Sequence, residues 1–384
     1  MIGVRLSMLM RFLVAVLVLG VLTAPASAEQ RKREAFEVAV DNALQYLAGA
    51  QNPDGSWNSG RDFGGGFNAG ANRDPAISAL CVMAFLSAGH VPGEGKYGGQ
   101  IEKGIRFVCS QQQRNGVFAG NNFGMSVMYS HGICTLMVAE VIGLMPDKRE
   151  AAALRQQLTT AVRLLQSAQS RRGQNDGGWR YSIQPGDADM SVTAWQVMAL
   201  RAAKNVGCDV PADVIERAVE YVKRSRDASS GGYRYTPYGH VTLPCTGAAI
   251  LSLELCGKDY HKSPESLAAS EFINRKISDD AKRTGPQHLR NQQHFFYGVY
   301  YMSQAQFQIG GEPWKWYRNY LHWLLLHPDG NPQRASGFWQ GVSPDDQQAG
   351  VNYCTSMAVL ALTVEYRFLP IYQRGEEPEE REGK

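Results

Sequence analysis

The chain has 384 residues, 44% of them hydrophobic and 20% charged, an ordinary balance for a globular protein with a substantial core. Its net charge of +3 is spread along the chain without a basic block, which argues against nucleic acid as a partner. Seven cysteines, an odd number, are too few for a disulfide framework in a chain this long.

Arg5 and Arg11 precede the apolar run FLVAVLVLGVLTA (12–24), and Pro25 with Ala26-Ser27-Ala28 follows. A charged start, a short apolar stretch and an A-x-A site predict a secretory signal over 1–28, cleaved after Ala28, and hence export to the periplasm or the exterior. An uncleaved anchor is the weaker reading, because a spanning helix needs roughly 20 apolar residues.

Residues 29–372 read as one domain. AFEVAVDNALQYLAGAQ (35–51) predicts a half-exposed helix that ends at the turn Gly55-Ser56-Trp57, and Asp74-Pro75 then leads into SALCVMAFL (78–86), apolar on nearly every face. EKGIRFVCSQQQ (102–113) and Gly116-Val117-Phe118 repeat the first half, and a buried segment around His131-Gly132 repeats the second. AVRLLQSAQ (161–169), Gly177-Gly178-Trp179 and TAWQVMAL (193–200) form a third round; DVIERAVEYVKRS (213–225), Gly231-Gly232-Tyr233 and TGAAILSL (246–253) form a fourth. In the fifth, Gly285 is followed by Pro286-Gln287 in place of the aromatic, then by NQQHFFYGVYYMSQAQF (291–307). Gly337-Phe338-Trp339 and TSMAVLAL (355–362) complete a sixth, and the charged tail, 373–384, is expected to be disordered.

A second ladder aligns the buried segments on Ser78-Ala79, His131-Gly132, Thr193-Ala194, Thr246-Gly247, Tyr297-Gly298 and Thr355-Ser356. Each round is therefore one outer and one inner helix joined by a glycine turn. Closing six such hairpins on themselves removes the exposed ends, which predicts an all-α, (α/α)6 toroid. An open solenoid is the runner-up, disfavoured because neither terminal repeat looks like a polar cap. Cys81, Cys134, Cys245 and Cys354 fall inside the apolar runs and read as packing; Cys208 and Cys256, near helix ends, could pair.

The outer helices end in a tighter pattern. Tyr46-Leu47-x3-Gln51-x3-Gly55-x-Trp57 and Phe107-Val108-x3-Gln112-x3-Gly116-x-Phe118 are two copies, Leu164-Leu165-x3-Gln169 to Gly177-x-Trp179 is a looser one, and Tyr233 and Trp339 mark two more. The pattern resembles the QW motif of squalene and oxidosqualene cyclases and, more broadly, the terpenoid cyclase and prenyltransferase α/α-toroid superfamily, over nearly all of 33–367. In that pattern the glutamine amide is expected to satisfy free carbonyls at the outer helix C-terminus, with the aromatic stacked over it.

Together with the predicted signal, the resemblance implies an exported toroid that acts on an isoprenoid or other apolar substrate in a central cavity, as a terpene cyclase does, through an aspartic general acid. The acid candidates are Asp187 and Asp189, in GDADMSVTAW (186–195). The repeat favours a plainer role for Asp189: Asp74 holds its position one repeat away and precedes a proline, as a helix cap does. His131, Trp195, His294, Tyr297, Tyr300 and Tyr301 are candidate cavity residues for an apolar small molecule or lipid, since aromatic faces stabilise carbocations; they are equally suited to fill the core.

No cofactor is expected. The prenyltransferase zinc pattern Asp-x-Cys is absent, and the remaining combinations, His131 with Cys134 or Cys245 with His240 and His294, are loose. P-loop, G-x-S-x-G and His-Glu-x-x-His motifs are also missing. Two other functions stay open: a non-catalytic toroid that binds a lipid, glycan or peptide, and a glycan-active (α/α)6 enzyme, which needs paired carboxylates.

Overall fold

A computed structural model describes residues 33–60, 73–119, 127–184, 186–257, 260–285 and 293–372. The predicted signal (1–28), the tail (373–384) and Pro286-Gln287 lie outside them. The elements belong to one compact unit that begins at Ala35, and among the described residues there are helices and isolated bridges but no strand.

Six outer helices, α1 (Ala35–Ala50), α3 (Gly98–Ser110), α5 (Lys148–Ala168), α7 (Ala212–Arg224), α9 (Pro264–Thr284) and α11 (Gly311–Leu326), alternate with six inner ones. The inner helices are α2 (Pro75–Ser87), α4 (Val127–Ile142), α6 (Met190–Asn205), α8 (Leu243–Leu255), α10 (Phe295–Ile309) and α13 (Val351–Leu362), the last preceded by a short α12 (Pro344–Ala349). Each inner helix packs on the next and α13 returns to α2, so the ring closes. The burial pattern follows the sequence. On α7 only one stripe, Val214, Ala218, Val219, Tyr221 and Val222, is buried, whereas on α2 every residue but Ala76 is.

The six turn glycines, Gly55, Gly116, Gly177, Gly231, Gly285 and Gly337, share φ between 83° and 91°. Two of them show why no side chain is tolerated. A Cβ on Gly177 would stand 1.9 Å from the Arg217 carbonyl oxygen of the next outer helix, and one on Gly337 would stand 2.4 Å from that of Asn42, where the sixth repeat meets the first.

Hydrogen bonds around the turns divide the work differently from the sequence expectation. The indole N–H of Trp57, Trp179 and Trp339 donates to Leu47, Leu165 and Leu325, at 2.7, 2.8 and 3.0 Å, and these are carbonyls left free in the last turn of each outer helix. The glutamines instead tie one repeat to the next. Gln51 donates to Gly55 and Gln100, Gln112 to Gly116 and Gln157, and Gln169 to Gly177 and Val214. Gln333, absent from the sequence pattern, donates to Gly337 (2.9 Å) and across the seam to Ala39 (2.7 Å).

The inner helices hold the other side of each turn. The aromatic residue's own backbone N–H donates to the aligned residue of the inner helix: Trp57 to Ser78, Phe118 to His131, Trp179 to Thr193, Tyr233 to Thr246 and Trp339 to Thr355, all between 2.9 and 3.2 Å. In these five repeats the polar residue of the second ladder is therefore the acceptor for one buried N–H.

All seven cysteines are free thiols, Cys208 and Cys256 included. After α13 the chain folds back across the end of the ring where the inner helices finish. The Ile371 N–H donates to Glu140 on α4 (3.2 Å), and the Tyr372 hydroxyl meets that of Tyr300 on α10 (3.0 Å). Burial pushes the Glu140 carboxyl from its ordinary 4.5 up to about 8. The folded chain thus holds a proton that the unfolded chain loses above pH 4.5, so this residue lowers stability progressively between about pH 4.5 and 8. Glu140→Gln, neutral at every pH, is expected to match the parent Tm at pH 4 and exceed it by several degrees at pH 8–9. Parallel Tm profiles in calorimetry would contradict this.

Candidate binding site at the mouth of the ring

The inner helices begin at the opposite end, where the long turns of successive repeats overlap like shingles. The Tyr181 carbonyl accepts the Met128 N–H at the start of α4 (3.0 Å), and the Tyr235 carbonyl accepts the Met190 N–H at the start of α6 (2.8 Å). Each turn is thereby fixed to the preceding inner helix, and its next side chains are delivered to the mouth.

Arg180 is the centre of what gathers there. Its Nε lies 3.3 Å from Asp187, and its Nη1 donates to Asp189 and to the Tyr235 hydroxyl, both at 2.8 Å. The guanidinium also lies over the rings of Tyr181 (4.3 Å) and Tyr235 (5.4 Å), whose hydroxyls touch each other. Among the described residues none accepts from Nη2, so a rigidly held fork presents a free donor edge at a partly exposed position.

Asp189 is the N-cap of α6. One oxygen accepts from the Val192 N–H (2.9 Å) and the Ser191 hydroxyl (2.5 Å), and the other from Arg180. Its side chain is completely buried, and burial raises its carboxyl while Ser191, Val192 and Arg180 pull it down. Both oxygens are engaged by donors, which leaves neither aimed at an alkene as an acid of the cyclase kind requires. Asp187 differs: its side chain is 56% exposed, and Arg180 is its partner.

The remaining sequence candidates separate into three groups. Tyr297, on the first turn of α10, reaches across to the Ser191 carbonyl (3.5 Å), and Ser191 also meets the Tyr129 hydroxyl (2.5 Å), so both tyrosines border the Arg180 cluster. His294 stands at the rim in a left-handed conformation (φ 57°), caps no amide, and has Nδ1 3.2 Å from Asp345. Trp195, Tyr300 and Tyr301 lie deeper and are buried: Trp195 stacks on Tyr300 (5.5 Å, 8°) and meets Tyr301 edge-on (5.4 Å, 70°). These side chains come from α6 and α10, which α8 separates in the ring, so they meet across its middle. They fill the interior at that level, the core role that the sequence left open beside a cavity lining.

His131 turns away from the mouth. Its Nδ1 accepts the Phe118 N–H and its Nε2 bonds the Ala161 carbonyl, both at 3.1 Å, which fixes a neutral ring; burial lowers its pKa to about 4. It is neither a ligand residue nor a partner of Cys134 for zinc, and among the described residues no cluster of three His, Cys, Asp or Glu groups suits a metal. His131→Leu, which strands a buried N–H, is expected to cost about 2 kcal/mol. His131→Thr restores the acceptor of the other repeats and should lose about half of that, a difference readable from urea midpoints.

Sequence reasoning passed over Arg180, Tyr181, Tyr235 and Tyr129. A signal existed. Arg180-Tyr181 follows Trp179 as Arg234-Tyr235 follows Tyr233, so an Arg-Tyr pair recurs directly after the turn aromatic in two successive repeats.

No protein-family model matches the chain, and no curated protein matches it by sequence. Solved structures do match over nearly their whole length. The α-1,6-mannanase GH76A of Salegentibacter sp. HEL1_6 superposes with a TM-score of 0.60 at 10% identity, covering 87% of this chain and 99% of that one. A D-mannose isomerase gives 0.59 at 11% identity (90% and 100% covered), and the type II terpene cyclase MstE from Scytonema gives 0.52 at 13% (86% and 97%). The protein is an α/α toroid, a fold shared by glycan-active proteins and terpenoid cyclases alike.

Proposed function

We propose that this toroid is a glycan-active protein whose binding site is the Arg180 cluster at the mouth of the ring. The observation that carries the reading is the guanidinium fork: fixed by two carboxylates and a tyrosine hydroxyl, it offers Nη2 donors beside the rings of Tyr181 and Tyr235. Polar donors beside aromatic rings suit a ligand that is hydroxylated on its edges and apolar on its faces, as a sugar is. The mannanase, similar in fold alone, has been captured with α-1,6-mannotriose, and a variant inactivated at two neighbouring aspartates was used for it. In this chain Asp187 and Asp345 are exposed carboxylates, the one beside Arg180 and the other beside His294.

The sequence-based alternative, an apolar isoprenoid in a deep cavity, finds less support, because Trp195, Tyr300 and Tyr301 occupy the space it needs and Asp189 has both oxygens bonded. A predicted signal peptide fits an exported glycan-active protein equally well. The test is calorimetric titration of the mature protein with a panel of neutral oligosaccharides, α-1,6-mannotriose among them. Arg180→Lys keeps the charge and loses the planar fork, and is expected to weaken binding about tenfold or more. Equal binding by the variant, or no binding by the parent, would overturn the reading.

A further inference from the structure

Beside the Arg180 cluster stands a residue with no task in the fold. Residues 234–241 form a short hairpin closed by the Arg234–Val241 bridge and by the Tyr235 N–H donating to His240 (3.0 Å). Its tip, Thr236-Pro237-Tyr238-Gly239, is a β-turn in which the Gly239 N–H donates to Thr236 (2.9 Å). Proline follows the first position and glycine holds the last, so the tip is a defined turn. Pro237 is buried beneath it. Tyr238 is 83% exposed, far more than any other large hydrophobic side chain among the described residues.

The hairpin is also fastened at its base. The Tyr235 carbonyl accepts from Met190 (2.8 Å) and its hydroxyl from Arg180 (2.8 Å). Tyr238 is three residues further on, at most about 10 Å along an extended chain. A large ring held out in water on a stiff support, with its base in the binding site, gains nothing for stability and is suited to stacking on a ligand.

We infer that Tyr238 is an outer stacking position of the mouth site and that the ligand is consequently an oligosaccharide chain, with one unit at Arg180 and a later one on Tyr238, rather than a single sugar. This rests on the glycan reading above and narrows it: of the two kinds of sugar-acting neighbour, the chain-binding mannanase type is favoured over the monosaccharide-converting isomerase type.

The experiment is titration calorimetry of the parent and Tyr238→Ala with monosaccharides (mannose, glucose, galactose, N-acetylglucosamine) and with linear tetrasaccharides built from them. The parent is expected to bind one tetrasaccharide at least tenfold more tightly than its monosaccharide. Tyr238→Ala should lose about fivefold or more on the tetrasaccharide and less than twofold on the monosaccharide, with an unchanged Tm. Equal affinity for mono- and tetrasaccharide, or a tetrasaccharide affinity untouched by Tyr238→Ala, overturns the inference while leaving the Arg180 reading in place. No binding of any sugar by the parent overturns both.

Discussion

Gly177→Ala is expected to destabilise the protein by about 4 kcal/mol. Left-handed backbone costs an alanine roughly 1–2 kcal/mol, and the new methyl would meet the Arg217 carbonyl oxygen 1.9 Å away, an overpacking of about 1–3 kcal/mol more. Gly231 supplies the internal comparison. Its φ is 83°, close to the 87° of Gly177, but an added Cβ there stands 3.4 Å from the Ala268 carbonyl oxygen. Gly231→Ala should therefore show the backbone term alone, about 1–2 kcal/mol. Denaturant unfolding of the two variants separates close approach from dihedral strain, and equal losses would contradict the account of the turns as inter-repeat contacts.

The second large effect belongs to Asp189. Asp189→Ala removes a cap worth about 1 kcal/mol together with a charge-assisted bond to Arg180 worth about 1.5–3 kcal/mol, so a loss of about 3 kcal/mol is expected. Asp189→Asn keeps an acceptor for Val192 and should lose roughly half as much. An acid kept for proton donation would behave otherwise: an asparagine there would abolish turnover of a cyclisable substrate while leaving stability nearly intact. Urea unfolding of both variants distinguishes the two, and a loss under about 0.5 kcal/mol for Asp189→Ala would remove the structural role assigned here.

The fold was legible because the toroid repeats a small set of physical constraints. A glycine is needed wherever the turn presses on the next outer helix, an aromatic residue wherever an indole or ring must cover the outer helix end, and a small polar residue wherever the inner helix must accept one N–H. These needs recur in most repeats, and the fifth keeps the left-handed backbone (φ 85° at Gly285), so the turn could be placed even where its aromatic companion is missing and no neighbour presses on the glycine. Gln333 escaped notice for a local reason: the chain between α11 and its turn is longer, which breaks the spacing from the helix while preserving the four-residue step to Gly337.

Roles were harder to read than positions. Sequence pattern shows that glutamine and tryptophan belong to the turn but not which of them reaches the free helix carbonyl; the indole does, and the amide spans to the neighbouring repeat. His131 has the residue type of a ligand and the position of a hydrogen-bond acceptor, and the position decides. The aromatic run of α10 divides by depth, Tyr297 bordering the mouth and Tyr300 and Tyr301 sealing the ring, a distinction that composition does not carry. Arg180 lies outside the helical segments, in a turn whose anchoring to α4 depends on a main-chain bond between repeats.

The measurement that bears most directly on all this is a crystal structure of the protein with the tightest-binding oligosaccharide of the panel. A sugar oxygen within hydrogen-bonding distance of Arg180 Nη2, with a ring face against Tyr181 or Tyr235, is the predicted result. A glycan seated elsewhere on the molecule, with the Arg180 fork still open to water, would contradict it.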